Sequence, residues 1–296
     1  MLISKIKKEL VGLRLDKFLC REFDISFGLS QKIIREKKVK VNAARVDPSY
    51  KVAEEDQIEI FSNLKSRQQS KKIVPRISEN KRQDFLSWII FEDENLIAIN
   101  KPSGMATQGG SGVKISVDDF LKGKTWQLTH RLDKDTSGIL LIAKNSKTAE
   151  FLTEAFRNKT IKKTYLALVD GVFKKKEGVV KIPLLKKMLG KNEKVMPDLL
   201  QGKEAITEFS LLKSFADYSL LELRPLTGRT HQLRVHCKEL GHPILNDVKY
   251  GGTAVFRKDI CKRLCLHAYK IELNNYFGKI LKIEAGLPEF CKKSDI

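Results

Sequence analysis

A basic stretch with few large apolar side chains lies at residues 62–84 and divides the chain into two unequal parts. It contains seven Lys and Arg residues and two acidic residues, and it offers too little apolar surface to form a core of its own. We therefore predict a domain at residues 1–61, a linker at 62–84 and a larger domain at 85–296. The charge of the linker suits an arm that lies along a phosphate backbone, and it equally suits a solvated tether.

The composition narrows the class of protein. The 296 residues include 56 Lys and Arg against 36 Asp and Glu, a formal net charge of +20, and 42% of the residues are hydrophobic. That apolar fraction excludes a disordered tail. The basic excess favours nucleic-acid binding, because cations that neutralise phosphates release condensed counterions. A solvated basic surface on an enzyme for small substrates is the alternative.

The distribution of apolar residues and cysteines predicts a reduced, cytoplasmic protein. No run of about eighteen apolar residues occurs, and charges interrupt the N-terminal segment, so we expect neither a membrane span nor a signal peptide. The five cysteines are odd in number and scattered along a long chain, which argues against a disulfide framework.

Hydrophobic spacing in the smaller domain predicts two helices followed by two short strands. The helices span 14–22 and 31–37, the second with Ser30 as its N-cap. Alternation of apolar and polar residues at 38–42 and 57–60 predicts the strands. Packing the helices on the strands leaves a basic face, which comprises Arg14, Lys17, Lys32, Arg35, Lys38 and Lys40.

This order of elements resembles the S4 RNA-binding domain over residues 12–61. The resemblance is carried by Arg-Leu-Asp-Lys-Phe-Leu at 14–19, the Ser30 helix, Val-Lys-Val-Asn at 39–42 and Asp-Gln-Ile at 56–58. It implies docking onto structured RNA through the basic face, with recognition of shape and backbone more than of sequence. The residues expected to contact RNA are Arg14, Lys17, Lys32, Arg35 and Lys38.

The larger domain mixes strand and helix patterns, which predicts an α+β fold. Continuous apolar runs indicate buried strands at 96–99, 138–143, 165–169 and 219–223. Amphipathic spacing predicts helices at 146–159 and 230–240.

The densest polar cluster of this domain lies at 129–138. Asp133 and Asp135 are flanked by Arg131 and Lys134, and nearby cations hold a carboxylate ionised and ready to act as nucleophile or base. A charged turn capped by Asp135 is the alternative.

A second polar cluster, at 226–234, opens the predicted helix 230–240. His231 and Arg234 are three residues apart and share one face, so that Arg234 could meet a carboxylate from the first cluster. The alternative is a capped helix with solvated charges.

Together the two clusters resemble the RluA family of RNA pseudouridine synthases. The main motifs are His-Arg-Leu-Asp-Lys-Asp-Thr-Ser-Gly at 130–138, Lys-Thr-Tyr-Leu-Ala at 163–167 and Gly-Arg-Thr-His-Gln-Leu-Arg-Val-His at 228–236. Asn-Lys-Pro-Ser-Gly-Met at 100–105, Gly-His-Pro-Ile at 241–244 and Leu-His-Ala at 266–268 also fit. The resemblance spans residues 88–288.

The resemblance implies a fold and a set of roles. The fold is a catalytic domain with a central mixed, largely antiparallel sheet flanked by helices. Asp133 is the implied catalytic nucleophile, Arg234 pairs with it, and Tyr165 stacks on the displaced uracil. Arg131 fills the space left by the flipped base. The further implied RNA contacts are His130, Arg229 and His231.

The implied reaction detaches the uracil from N1, rotates it and rejoins it to the ribose through C5. Because the reaction only rearranges atoms, we expect an isomerase without a metal or another cofactor. We also expect a monomer. The route through ribose C1′, uracil C6 or a glycal stays open.

Within the family, the likeness is to the C-type enzymes that act on large-subunit (23S) ribosomal RNA. It rests on the S4 domain and on Gly-Gly-Ser-Gly at 109–112. The C-type pattern has a histidine where this chain has Gln108, which leaves the set of target uridines open.

Three other functions stay open. One is a non-catalytic ribosome-assembly factor that binds RNA, and another is the same chemistry on a different RNA such as tRNA. The third is an RNA N-glycosidase that uses Asp133 and Asp135, because paired carboxylates cleave glycosidic bonds.

Several remaining residues receive structural interpretations. Cys261, Cys265 and His267 have a spacing that could bind a metal, but a turn leading into a strand is favoured. We expect His236 and His242 to be structural. The lysine-rich segment 174–203 is interpreted as an insertion that grips RNA, with a solvated loop as the alternative.

Overall fold

The computed structural model describes residues 2–6, 10–23, 25, 27–61, 77–110, 112–189 and 192–292. Contacts divide the chain into two units, Met1–Val74 and Pro75–Ile296. Most of the predicted linker, 62–76, lies outside the described residues. The last six residues of the predicted linker, 79–84, instead begin helix α3 (Glu79–Ser87). This helix packs on the larger unit through the buried ring of Phe85, which stacks on Phe120 with ring centroids 4.9 Å apart.

The N-terminal unit packs two helices on a small antiparallel sheet. Its elements are β1 (Leu2–Lys5), α1 (Leu15–Glu22), α2 (Phe27–Arg35), β2 (Val39–Val41) and β3 (Gln57–Ile60). The sheet has the order β1-β3-β2. Leu15, Phe18 and Ile58 are fully buried in the core between the layers. The predicted helices and strands are present, and β1 was not predicted.

The prediction that Ser30 caps the second helix is wrong. Helix α2 begins at Phe27, and Ser30 lies inside it, fully buried. Leu29 and Ile33 are four residues apart and both pack in the core, so the apolar stripe extends one turn further toward the N-terminus than predicted.

The larger unit is built on a mixed sheet. Its helices are α3, α4 (Val117–Leu121), α5 (Ser146–Arg157), α6 (Gln232–Glu239), α7 (Val248–Gly251) and α8 (Glu289–Lys292), with a 3-10 turn at Thr253–Val255. Its strands are β4 (Ile89–Glu92), β5 (Leu96–Lys101), β6 (Gln127–Leu128), β7 (Ser137–Ala143), β8 (Ile161–Asp170), β9 (Glu177–Lys181), β10 (Leu184–Leu189), β11 (Asn192–Pro197), β12 (Ile206–Ser214), β13 (Tyr218–Pro225), β14 (Leu266–Tyr276) and β15 (Lys279–Glu284).

Ten of these strands form one sheet with the order β4-β5-β7-β14-β8-β13-β12-β9. Strand β15 pairs with β14, and β6 pairs with β7. The β7–β14 pair is parallel and the other pairs are antiparallel. The predicted mixed, largely antiparallel sheet is therefore confirmed.

Side chains of β7 alternate between two cores on opposite faces of the sheet. Ile139 and Leu141 pack in one core with Leu152 of α5, while Leu140 and Ile142 pack in the other with α3 and α4. The side chains alternate with a period of two, and helices cover both faces of the sheet, as predicted. Among the described residues, no helix has the length and apolarity needed to cross a membrane.

Candidate active site

Asp133 lies in the turn that connects β6 to β7, and backbone contacts fix this turn. The buried hydroxyl of Thr107 donates to the carbonyl of Leu132 at 2.8 Å and accepts its N–H at 3.2 Å. The N–H of Thr136 donates to the carbonyl of Asp133 at 3.2 Å. Both the N–H and the carbonyl of Leu132 are thus hydrogen-bonded, so the fold sets the position of the neighbouring Asp133.

Gly138 allows the strand after this turn to approach β14. It has a φ of +108°, and a Cβ built there would lie 2.3 Å from the carbonyl oxygen of Ala268. Only glycine fits this combination of dihedral angle and space. The parallel pairing of β7 with β14, and the placement of the Asp133 turn at its start, therefore depend on this glycine.

A fully buried lysine donates hydrogen bonds to the backbone of this turn. Lys101 Nζ donates to the carbonyls of Pro102 (3.0 Å), Met105 (2.8 Å) and Lys134 (3.2 Å). Burial lowers the pKa of Lys101 to about 7, opposed by the charges of Asp135 and Asp133. The Asn-Lys-Pro-Ser-Gly-Met motif thus ties β5 to the Asp133 turn, a role that the sequence alone did not predict.

The two polar clusters meet at the carboxylate of Asp133. His231 Nε2 lies 3.7 Å from Asp133 Oδ2, and Arg234 Nη1 lies 3.9 Å from the same oxygen. His231 precedes α6 in the left-handed conformation, with a φ of +53°. The sequence therefore placed these side chains together correctly.

The main partner of Arg234, however, is Asp247 and not Asp133. Arg234 Nε and Nη2 each donate to the Asp247 carboxylate at 2.7 Å, and both side chains are buried. Asp247 also caps α7 by accepting from the N–H of Tyr250 at 3.3 Å. The predicted pair of Arg234 with Asp133 is present at 3.9 Å, but the bidentate pair with Asp247 is the closer one and fixes the guanidinium before substrate arrives.

Asp133 and Tyr165 line a cavity of about 520 Å³, the first cavity. Tyr165 comes from β8 and is half-buried, and Leu266 and Pro225 add apolar surface. Burial, with the charge of Asp133, raises the pKa of Tyr165 above its ordinary value. The phenol therefore keeps its proton and can donate a hydrogen bond. Asp135 is exposed and does not line this cavity.

A second cavity of about 530 Å³ lies on another side of Asp133. It shares four residues with the first cavity: Arg131, Asp133, His231 and Arg234. Its other charged lining residues are Lys134, Asp135, Lys249, Lys262 and Arg263. Phe256 adds an exposed ring. A groove with a cationic excess therefore continues past the carboxylate.

The structure separates the other predicted RNA contacts of this unit. Arg131 and Arg229 are exposed at the first cavity, as an RNA contact requires. His130 lines it too, but its Nε2 accepts the N–H of Leu141 at 2.8 Å and its ring stacks on Phe156. Burial lowers the pKa of His130 to about 3, so it is a neutral, anchored ring and not a cation for phosphate.

The basic face of the N-terminal unit is partly neutralised. Arg14 bonds the buried Asp16 at 2.7 Å, and Glu36 pairs with Lys38 at 2.6 Å and with Lys32 at 3.7 Å. Burial of Asp16 opposes its ionisation, but Arg14, together with hydrogen bonds from the Lys17 backbone and Gln31, lowers the pKa of Asp16. Within the described ranges, Lys17 and Arg35 have no acidic partner and are exposed, so they fit an RNA contact best.

The remaining sequence candidates have structural roles. His267 is buried on β14, where its Nδ1 lies 2.8 Å from Ser137 Oγ, and no cluster of metal-binding residues occurs in the part of the chain that is described. His236 Nδ1 lies 2.9 Å from Thr207 Oγ1, and His242 Nδ1 lies 2.7 Å from the carbonyl of Asp170.

The lysine-rich segment forms β9 and the hairpin β10–β11 and not a solvated loop. Two of its lysines are paired with acids: Lys186 with Glu193 at 2.5 Å, and Lys187 with Asp198 at 2.7 Å. Lys191 lies outside the described residues.

Comparison with known proteins decides the family. A family model described as RNA pseudouridylate synthase matches residues 95–239, and one described as S4 domain matches residues 13–58. Ribosomal large subunit pseudouridine synthase C of Rickettsia bellii is 41% identical over 295 residues, which cover 96% of this chain and 97% of that protein. The chain belongs to the RNA pseudouridylate synthase family. The predicted S4 domain and isomerase class are confirmed.

Other relatives and solved structures agree. The protein of the same name from Pasteurella multocida is 38% identical over 299 residues, covering 97% of this chain and 91% of its own. The structure of human RNA pseudouridylate synthase domain containing 4 matches with a TM-score of 0.59 and 26% identity, covering 72% of this chain and 94% of that chain. The synthase fold therefore extends across the larger unit.

Proposed function

We propose that this synthase isomerises uridines of large-subunit ribosomal RNA to pseudouridine. Relatives that match almost the full length are named for the large ribosomal subunit. The S4 domain supplies a module of the kind that docks on structured RNA. We also propose that the protein acts as a monomer in the cytoplasm.

The observation that carries the proposal is the setting of Asp133. Its carboxylate lines a cavity large enough for a nucleotide base, together with the phenol of Tyr165 and several cations. The Arg234 guanidinium is already held by Asp247, so it faces Asp133 without reorganisation. A cation that is fixed in advance stabilises charge that develops during the reaction.

We infer a sequence of roles for these residues. The target nucleotide leaves its stack and enters the first cavity, at a cost of a few kcal/mol for unstacking. Asp133 attacks the nucleotide and the bond between uracil N1 and ribose C1′ breaks. The uracil turns, C5 bonds to C1′, the carboxylate is freed, the C5 proton leaves to solvent and N1 takes up a proton. Tyr165 stacks on the uracil and donates its hydroxyl proton as a hydrogen bond. Arg131, exposed beside Asp133, stacks in the vacated space.

The second cavity gives the flanking RNA backbone a path. Lys134, Lys262 and Arg263 are exposed around it, and among the described residues none has an acidic partner within ion-pair distance. Such cations bind phosphates without reading sequence. The proposal needs no metal, redox group or nucleotide, because isomerisation leaves the atoms and the oxidation state of the RNA unchanged.

Release of tritium from uracil C5 tests the proposal. Unmodified large-subunit ribosomal RNA labelled at C5 of uridine is incubated with the wild type and with Asp133→Asn, and RNA affinity is measured in parallel. We expect release by the wild type, loss of release in Asp133→Asn, and affinities within about threefold, a difference below 1 kcal/mol. Tight binding without release by the wild type, on naked RNA and on assembly intermediates, favours the assembly factor.

The same assay on tRNA separates the remaining substrate classes. Release from tRNA alone contradicts the assignment to ribosomal RNA while leaving the chemistry intact.

A further inference from the structure

His231 and Tyr250 form a hydrogen-bonded pair directly behind the carboxylate of Asp133. His231 Nδ1 lies 2.7 Å from Tyr250 Oη, and the two rings meet edge to face with centroids 5.5 Å apart. Tyr250 belongs to α7, and 94% of it is shielded from solvent. The pair therefore has a fixed geometry before any RNA binds.

The partners of the two ring nitrogens of His231 favour one tautomer. The backbone N–H of Val195, on β11, donates to Tyr250 Oη at 3.3 Å. Burial raises the pKa of Tyr250, so the phenol keeps its proton. The Tyr250 hydroxyl can donate to Nδ1 of His231 at 2.7 Å or accept from it, but the carboxylate of Asp133, which only accepts, lies 3.7 Å from Nε2 and favours the proton there, so Nδ1 is the acceptor. A neutral imidazole whose Nδ1 accepts carries its proton on Nε2.

That Nε2–H faces one particular oxygen of Asp133. The closest approach of His231 Nε2, at 3.7 Å, and that of Arg234 Nη1, at 3.9 Å, are both to Oδ2. Both groups therefore approach Asp133 on the side of Oδ2. Both distances exceed a hydrogen bond, and catalytic contacts of this kind shorten when substrate closes the site.

We propose that His231 is a positioning residue that acts through Asp133: its Nε2–H, fixed by Tyr250, holds Oδ2 and presents Oδ1 to the flipped uridine. This role differs from the RNA contact that the family resemblance implies for His231. It rests on the proposed function, because it assigns the reacting oxygen of the same carboxylate.

Removal of one hydroxyl tests the pair. Tyr250→Phe keeps the ring that packs against His231 and Arg234 but deletes the donor to Nδ1. We expect kcat to fall about tenfold, the value of one hydrogen bond, with KM unchanged within about twofold. Tyr276→Phe is the matched control, because Tyr276 is equally buried, its hydroxyl donates to Asp93 at 2.9 Å, and it lines neither cavity.

The imidazole tautomer gives a readout that does not depend on turnover. Nitrogen NMR of protein labelled with ¹⁵N-histidine resolves the five histidines, and His231→Gln assigns the signal of His231. We expect the Nε2–H tautomer in the wild type and in Tyr276→Phe, and a mixture of tautomers in Tyr250→Phe. An Nδ1–H tautomer in the wild type overturns the proposal.

Two substitutions of His231 separate positioning from packing. Gln and Leu are similar in size and meet the same left-handed backbone at φ +53°, but only Gln offers an N–H near the site of Nε2. We expect His231→Gln to retain at least about fivefold more kcat than His231→Leu. Equal kcat values, or a loss of RNA affinity with kcat unchanged, overturn the proposal.

The failure of the proposed function gives a different pattern. Absence of tritium release by the wild type on every RNA tested overturns the proposed function, and the role of His231 with it. Tritium release by the wild type, combined with an Nδ1–H tautomer or with equal kcat values of His231→Gln and His231→Leu, overturns the role of His231 alone.

Discussion

Arg234 is bound to Asp247 by two hydrogen bonds of 2.7 Å, so the cation nearest the candidate nucleophile is held by a different carboxylate. The arrangement solves a physical difficulty. If the buried guanidinium were paired only with Asp133, the tight ion pair would hinder this carboxylate from reacting with a substrate. With Asp247 carrying the ion pair, Arg234 lies 3.9 Å from Asp133, and the proposed function then has a carboxylate that stays free to attack.

We predict that Asp247→Asn costs about 3 kcal/mol of unfolding free energy, because it leaves a buried guanidinium without its main counter-charge. Activity should fall as well, since Arg234 then turns toward Asp133. Urea denaturation and kcat of the same preparation measure both effects. Asp259→Asn is the control, because Asp259 is 62% exposed in its pair with Arg257 and should change stability by less than about 1 kcal/mol. Equal losses in the two variants would contradict this account.

Lys101 should make stability depend on alkaline pH. Its pKa is about 7 in the folded protein, below the ordinary value of 10.5, so the unfolded chain binds more protons between these values. Unfolding free energy should therefore rise with pH from about 7 to 10.5, on the order of a few kcal/mol for this one group.

The unfolding free energies of wild type and Lys101→Met, compared at pH 6, 8 and 10, isolate this effect because the other groups titrate in both proteins. The difference should move in favour of the wild type as pH rises. A difference that is constant with pH would show that Lys101 stays charged in the folded protein.

We predict that Gly138→Ala destabilises the larger unit by about 3 kcal/mol or more, because the new Cβ collides with the backbone of Ala268 and the dihedral angle is unfavourable. Gly278→Ala is the matched control. It also has a positive φ, of +84°, but a Cβ there meets open space, so the cost should be about 1 kcal/mol. Thermal unfolding ranks the two, and the reverse order would refute the close approach of β7 to β14.

Arg35 should contribute to RNA affinity through charge alone. It is exposed on α2 and has no acidic partner among the described residues, whereas Arg45 of the same unit lies outside the predicted basic face. In Arg35→Gln, the slope of log Kd against log salt concentration should fall by about 0.7 to 0.9, as for one lost phosphate contact. Arg45→Gln has the same change of charge, and an identical fall in slope there would mean that net charge, not the face, decides affinity.

The sequence was sufficient for the parts of the site that lie in contiguous motifs. Asp133, Tyr165 and Arg234 each stand in such a motif, and His231 and Arg234 share a helix face by spacing alone. Strand β8, which carries Tyr165, and strand β7, which follows the Asp133 turn, were predicted because continuous apolar runs are typical of strands that are covered on both faces of the sheet.

The sequence was insufficient where a contact joins distant segments. The Arg234–Asp247 pair, the grip of Lys101 on Lys134 and the Tyr250–His231 bond each require knowledge of which loops meet, and no periodicity reports that. The burial of His130 and the partners of Arg14 and Lys38 were missed for the same reason, since a basic residue in a motif does not reveal its neighbour. The stretch at 246–250, Asn-Asp-Val-Lys-Tyr, was the available signal, because it places acid and phenol side chains directly after the Gly-His-Pro-Ile motif.

A comparison of Asp133→Asn with Asp135→Asn tests the central claim most directly. The two variants make the same substitution two residues apart, and only Asp133 lines the cavity with Tyr165. On ribosomal RNA labelled in uracil, with both tritium release and free uracil measured, we predict that Asp133→Asn releases no tritium, that Asp135→Asn matches the wild type, and that no protein releases free uracil. Tritium release by Asp133→Asn at the wild-type rate, or free uracil that requires both carboxylates, would contradict the assignment of Asp133 as the nucleophile of an isomerase.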